Sequence, residues 1–186
     1  MANFFTENQD ILFHFNRLNI EEIVALHEDN YSQAPNYAYA PSNYEDAIEN
    51  YKKVLEVTGE IAAEFIAPRA ASVDEEGAVF ANGKVTYAKG TRENLARLSQ
   101  ADLMGMILPR EYGGLNFPFI IYMMAVETVS RADASLMNIF GLQDIADTIR
   151  KFGTEEQKAK YLPKFTTGEH TGAMALTEPD AGSDLQ

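Results

Sequence analysis

The 186 residues contain no cysteine and no tryptophan, and only three histidines. Without cysteine there is no disulfide, no thiolate metal site and no sulfur nucleophile. His14, His27 and His170 have no second His or carboxylate at a metal-ligand spacing, and the first two fall on helix faces as packed or solvated rings. Cations are scarce: 15 Lys and Arg stand against 28 Asp and Glu, a net charge of −13. Such a surface repels phosphate backbones and anionic membranes, so nucleic acid and peripheral lipid are disfavoured partners. No apolar run approaches the ~20 residues of a spanning helix. The longest, residues 117–124, contains Pro118. The first residues lack the basic start and apolar stretch of a signal peptide, and the Arg-rich character of a transit peptide. A cytoplasmic protein is the expectation. The GxSxG, GxxxxGK[ST] and GxGxxG patterns are also missing, which sets aside the hydrolase elbow, the P-loop and the Rossmann fingerprint.

What is present is mostly helical. Thr6-Glu-Asn-Gln9 has the form of a capping box ahead of Ile11, Leu12, Phe15 and Leu18, and Asn19 is placed to cap a second short helix. Residues 29–41, with two prolines and several tyrosines, fit no period and read as a linker or surface loop. Ser42-Asn-Tyr-Glu45 opens the clearest helix, whose stripe runs from Tyr44 through Tyr51 and Leu55 to Phe65 and which Pro68 is expected to stop. Asp74-Glu-Glu-Gly77 reads as a turn. Asn82-Gly83 between Val79-Phe80 and Val85-Thr86-Tyr87 is a hairpin signal, because a type I′ turn needs positive φ at both central residues. Thr91 starts a helix that carries Leu95 and Leu98. Pro118 suits the first turn of the next, which covers residues 119–129 and is apolar on nearly every side, so it is expected to be buried. Asp133 caps a helix over residues 135–152. Thr154-Glu-Glu-Gln157 opens a last short helix that Pro163 is expected to end. Ala173-Met-Ala-Leu176 reads as a strand.

The candidates for chemistry lie in the second half. Glu127 and Arg131 stand four apart, most simply as a helix ion pair. Gly105…Pro109-Arg-Glu-Tyr-Gly-Gly114 is a tight loop in which two glycines supply backbone freedom. Thr177-Glu-Pro-Asp-Ala-Gly-Ser-Asp184 joins a strand end to hydroxyls and unobstructed backbone N–H groups, which suit a polar ring edge or a phosphate.

In their order and wording these pieces resemble the acyl-CoA dehydrogenase family of flavoproteins. The segments that carry the resemblance are Ala173-Met-Ala-Leu-Thr-Glu-Pro-Asp-Ala-Gly-Ser-Asp184, the stretch from Ile149 to Pro163 and Gly168, the loop from Gly105 to Gly114, and Glu127…Arg131-Ala-Asp133-Ala-Ser135. Together they cover roughly the second half of the chain. The resemblance implies a mainly α fold: the N-terminal helical-bundle domain of the acyl-CoA dehydrogenase fold, with a small hairpin insertion and the first strand of the middle β-domain. Its parts would be an N-terminal helical extension and linker (1–41), the helical domain (42–168) and the start of the β-domain (169–186).

It further implies FAD as cofactor and an acyl-CoA thioester as substrate. In the family a glutamate removes the α proton and the β hydride passes to flavin N5, giving the trans-2-enoyl-CoA. An electron-transferring flavoprotein is the acceptor, and the full-length proteins are homo-oligomers. By position, Met174, Leu176, Thr177, Gly182 and Ser183 match FAD contacts, and Ser183 also a contact to the CoA part. Met174 stands where many members carry an aromatic residue, and Asp180 where many carry a small one. Leu136 and Phe140 match the closed end of the acyl pocket. Glu111, Glu127 and Glu178 do not match the catalytic base, which in the family comes from a later domain. The chain alone is therefore expected to bind FAD weakly or not at all and to be inactive. Alternatives are a related flavoenzyme (an acyl-CoA oxidase, nitroalkane oxidase or flavin-dependent hydroxylase) and a non-catalytic helical interaction module.

Overall fold

The computed structural model describes residues 1–183. Its helices are α1 (Gln9–Arg17), α2 (Glu21–His27), α3 (Tyr44–Glu60), α4 (Ala70–Glu76), α5 (Lys89–Gln100), α6 (Phe119–Ala132), α7 (Ala134–Phe140), α8 (Ile145–Phe152) and α9 (Glu155–Thr166). Strands β1 (Val79–Ala81) and β2 (Lys84–Thr86) form the hairpin between α4 and α5. Asn82 and Gly83 take φ of 52° and 73°, as a type I′ turn requires.

The helix starts follow local capping chemistry, with shifts. Thr154 and Gln157 form the full reciprocal capping box of α9, and Asp133 caps α7 through the amides of Ser135 and Leu136. The α1 cap is Asn8 rather than Thr6: the Asn8 side chain accepts from the amides of Asp10 and Ile11. The α3 cap is Asn43; Ser42 instead donates to Asp46. α2 begins after Ile20 with no side-chain cap, so Asn19 does not serve there.

Neither proline stops its helix. Before Pro68 the chain widens into a π-helical segment, Ile61–Ile66, in which the Ala67 amide bonds the Ala62 carbonyl; a 3₁₀ turn then leads into α4. The wider spacing absorbs the missing proline N–H that an α-helix would feel as a break. α9 runs past Pro163 to Thr166 because Leu162 and Phe165 are buried and hold its last turn. The helix read over residues 135–152 is broken into α7, a 3₁₀ turn (Gly141–Asp144) and α8. At that break the Tyr122 hydroxyl donates to the carbonyls of Phe140 and Gly141, at 2.7 and 2.8 Å. Burial pushes that phenol's pKa well up, so it stays a donor. α6 is not apolar and buried all round: Phe119, Ile120 and Met123 are exposed along one face, which no described element covers. Residues 173–176 form no strand, since among the described residues no partner strand lies beside them; the local pairing is a bridge between Glu178 and Ala181.

One core joins the chain from Phe5 to Phe140. The first 41 residues are part of it: Phe5 and Phe15 pack edge to face at 5.8 Å, and Phe5, Ile11 and Val24 are buried. The Asn3 side chain and the Phe4 amide bond the carbonyls of Glu56 and Gly59 on α3. A Cβ on Gly59 would stand 2.7 Å from the Phe5 amide nitrogen, so this approach needs glycine.

The strongest tie is electrostatic. Glu28, just after α2, and Arg110 are each 2% exposed. Arg110 donates to both Glu28 carboxylate oxygens, at 2.6 and 3.0 Å, and to Gln33 Oε1 at 3.0 Å. Asp29, Asn30 and Tyr31 then take left-handed φ of 47°, 51° and 63°. Such a run is unfavourable for non-glycine residues. It turns the chain so that Gln33 returns to the guanidinium. Arg110→Met should lower unfolding stability in urea by about 3–5 kcal/mol by leaving Glu28 buried and unpaired. Adding Glu28→Leu should recover most of the loss; a double variant as unstable as the single one would contradict this account.

Candidate functional site

The stretch with chemical promise begins where α9 ends. Gly168, at φ 73°, reverses the chain, and the His170 amide bonds the Lys164 carbonyl. The chain then lies against the turn after α7. Gln143 is buried there; it donates to the Phe165 carbonyl at 3.3 Å and accepts from the Gly172 amide at 3.2 Å. A Cβ on Gly172 would collide with the Leu142 carbonyl oxygen, so the contact depends on glycine.

Beyond Gly172 the chain leaves the body of the fold. Met174 and Leu176 are 56% and 53% exposed, a large fraction for apolar side chains. Thr177, Glu178, Pro179 and Asp180 are exposed too, and the Glu178–Ala181 bridge closes the turn. At Gly182 the nearest atom to an added Cβ is the Thr177 methyl at 3.6 Å, so the backbone beside Ser183 is open. Met174, Leu176, Thr177 and Ser183 are thus exposed along one stretch, with Gly182 half-buried in it. Asp184, which ends the motif, lies outside the described residues.

The start of this stretch walls a cavity of about 400 Å³. Val73 and Asp74 of α4, Tyr87, Thr91 of α5, Ser135, Asn138 and Ile139 of α7, Leu142 and residues 171–173 line it. Hydroxyls, one amide and one carboxylate alternate with aliphatic groups, and no Lys or Arg is among the lining residues. Ser135 donates to Asp133 Oδ1 at 2.6 Å, while Asp133 Oδ2 is buried without a partner.

Leu136 and Phe140 lie elsewhere. Both are fully buried on the other side of α7, where the Phe140 ring is 5.9 Å from the Tyr122 ring. They line none of the cavity. Arg131 lies over the Phe4 ring at 4.2 Å instead of pairing with Glu127, because the N-terminal segment brings that ring across α6. The loop from Gly105 to Gly114 carries Arg110 inward and packs Gly105 against Thr166. His27 meets the Asn116 carbonyl at 3.0 Å and is a structural contact. Among the described residues no group of three His, Asp or Glu side chains is arranged to hold a metal, and no helix is long and apolar enough to cross a membrane. Sequence reasoning missed Gln143, Tyr87, Thr91 and Asn138; only the spacing of a glycine just before an apolar run hinted at the pinned backbone.

Comparison with known proteins identifies the family of the helical part. Residues 49–169 match the family model described as acyl-CoA dehydrogenase, N-terminal domain. The mitochondrial isovaleryl-CoA dehydrogenase of Solanum tuberosum is 35% identical over 140 residues, which are 74% of this chain and 32% of that protein. The 3-methylmercaptopropionyl-CoA dehydrogenase of Ruegeria pomeroyi is 34% identical over 159 residues, 83% of this chain and 26% of the relative. Among solved structures, the acyl-CoA dehydrogenase of Bacillus anthracis complexed with FAD superposes with a TM-score of 0.61 at 28% identity, covering 74% of this chain and 22% of that one. The chain belongs to the acyl-CoA dehydrogenase family. It spans about a third or less of the length of these relatives.

Two substitutions probe the two sides of α7. Gly172→Ala should free the segment from Gln143 and speed hydrogen exchange at the amide of position 172 about tenfold relative to the wild type, measured by mass spectrometry or NMR. Phe140→Ala should lower stability by about 3–5 kcal/mol, as removal of a fully buried ring does; a loss below about 1 kcal/mol would show that the ring is not a packing element.

Proposed function

We propose that this chain is the N-terminal helical part of an FAD-dependent enzyme that oxidises an acyl-CoA thioester to the trans-2-enoyl-CoA. The observation that carries the reading is the exposed run from Met174 to Ser183, held beside a cavity in a helical domain of this family. Its chemistry suits a flavin. Met174 and Leu176 offer apolar surface for a ring, and Thr177 a hydroxyl for a polar ring edge. Gly182 and Ser183 leave unobstructed amides and a hydroxyl for the pyrophosphate, with Ser183 also in reach of the CoA part. When bound, FAD supplies the hydride acceptor.

This chain's own contribution is to bind and orient. The Gly172–Gln143 bond and the collision that only glycine avoids fix where the Met174–Thr177 run starts. The buried Tyr122 donor holds the turn that carries Gln143. Leu136 and Phe140, as limits of the acyl group, act only if α6 and α7 part, because both are fully buried between them. None of Glu111, Glu127 and Glu178 is assigned as the base; that group, an electron-transferring flavoprotein as acceptor and a homo-oligomeric assembly belong to the proposed whole protein.

The test is a flavin absorbance spectrum. The purified 186-residue chain mixed with FAD should show no stoichiometric yellow complex and no oxidation of acyl-CoA. The longest natural reading frame containing it should hold FAD and bleach on addition of an acyl-CoA. A long form that binds FAD and leaves acyl-CoA untouched would reject the substrate assignment.

A further inference from the structure

Gln143 is 2% exposed, yet it carries an amide. A methionine of similar length would fill the same space without desolvating polar atoms. The hydrogen bonds of a buried amide roughly offset its desolvation, so its net effect on stability is small. What the amide adds is direction. Its Nε2 donates to the Phe165 carbonyl in the last turn of α9, and its Oε1 accepts from the Gly172 amide. One side chain thereby joins the turn after α7, the end of α9 and the segment that leaves the body of the fold.

Among the described residues, no later contact repeats that grip. Residues 173–177 make no hydrogen bond there, and the next pairing, Glu178 with Ala181, is internal to its own turn. Position 172 is held from the other side by sterics. A Cβ added to Gly172 would collide with the Leu142 carbonyl oxygen and stand 3.0 Å from the Ile145 Cβ. Leu176 and Thr177 follow four and five residues later, about 13–17 Å along an extended chain. A small tilt at 172 therefore grows to a displacement of ångströms at Thr177. Reactions between held partners are sensitive to such shifts: a misplacement of about 1 Å, even from a remote substitution, costs on the order of a hundredfold in rate.

We infer that Gln143 is the positioning residue of the flavin site: its amide, acting through Gly172, sets where Met174, Leu176 and Thr177 lie against the ring and so the rate of the oxidation. The inference rests on the acyl-CoA reading above and adds to it a residue that acts through the chain.

The experiment uses the longest natural reading frame, loaded with FAD. Gln143→Met keeps the length of the side chain and removes both hydrogen bonds. It should change the visible flavin absorbance band and slow single-turnover bleaching by acyl-CoA about ten- to a hundredfold, with KM altered less than about twofold. Gly172→Ala displaces the same segment and leaves the buried amide in place, and it should do the same. Leu55→Ala is the control for lost stability. Leu55 is fully buried on α3 in the main core, whereas Phe165 packs in a separate cluster with Leu108, Ala146 and Leu162. This control should lower the melting temperature at least as much as Gln143→Met, with band and bleaching rate unchanged. Wild-type bands and rates in Gln143→Met and Gly172→Ala, or a slowing shared by Leu55→Ala, overturn the inference and leave the acyl-CoA reading standing. A changed band in Gln143→Met, beside a wild type that leaves acyl-CoA untouched, supports the positioning role and overturns the substrate assignment. A wild type that takes up no FAD overturns both.

Discussion

The Glu28–Arg110 ion pair is the constraint on which the arrangement depends. A buried carboxylate and a buried guanidinium are each strongly unfavourable alone, and the geometry is acceptable only with both present and hydrogen-bonded. Here the pair is bidentate, and Gln33 takes a further guanidinium donor. That fixes three things together: the end of α2, the loop leading to Gly113 and Gly114, and the left-handed turn at Asp29–Tyr31. The N-terminal segment is thereby part of the same body as α3 and α6 rather than an appendage. The same loop packs Gly105 against Thr166, at the end of the helix from which the exposed run departs.

A second set of contacts carries that order to the site. The Tyr122 hydroxyl holds the carbonyls at the end of α7, where the helix gives way to a tighter turn. That turn presents Gln143, which bonds both the end of α9 and the Gly172 amide. Each step adds a side-chain hydrogen bond to a backbone group, so the path is one of hydrogen bonding as much as of packing. Its result is a chain that is fixed at residue 172 and exposed from residue 173 to residue 180.

Local chemistry was legible in the sequence at several positions where one residue type decides a conformation, though the expected caps at Thr6, Asn19 and Ser42 shifted or did not form. Asn82-Gly83, Asp133 and Thr154-Glu-Glu-Gln157 each do what their side chains dictate. Pro68 and Pro163 were misleading because a proline removes one hydrogen bond of the helical ladder, a loss that local geometry or packing can offset. A π segment and a buried last turn keep the chain helical around them. Glu28 and Arg110 are 82 positions apart and nothing in either neighbourhood announces the other. The apolar run at residues 173–176 has strand character, yet a strand is a paired object and no partner stands beside it. At the site, the exposed residues were recoverable from a resemblance in wording. The cavity was not, because Tyr87 and Thr91 come from one stretch and Asn138 from another, and they meet only in the fold.

The charge distribution divides the work of the proposed site. With a net charge of −13 the chain as a whole opposes polyphosphate ligands. The cavity reinforces that opposition, since Asp74 is its one charged lining residue. Any anionic part of a ligand must therefore be held by short-range donors, and the turn at Gly182 and Ser183 is where unobstructed backbone and a hydroxyl coincide. That turn is where the proposed FAD would place its pyrophosphate, held by hydrogen bonds rather than by cations.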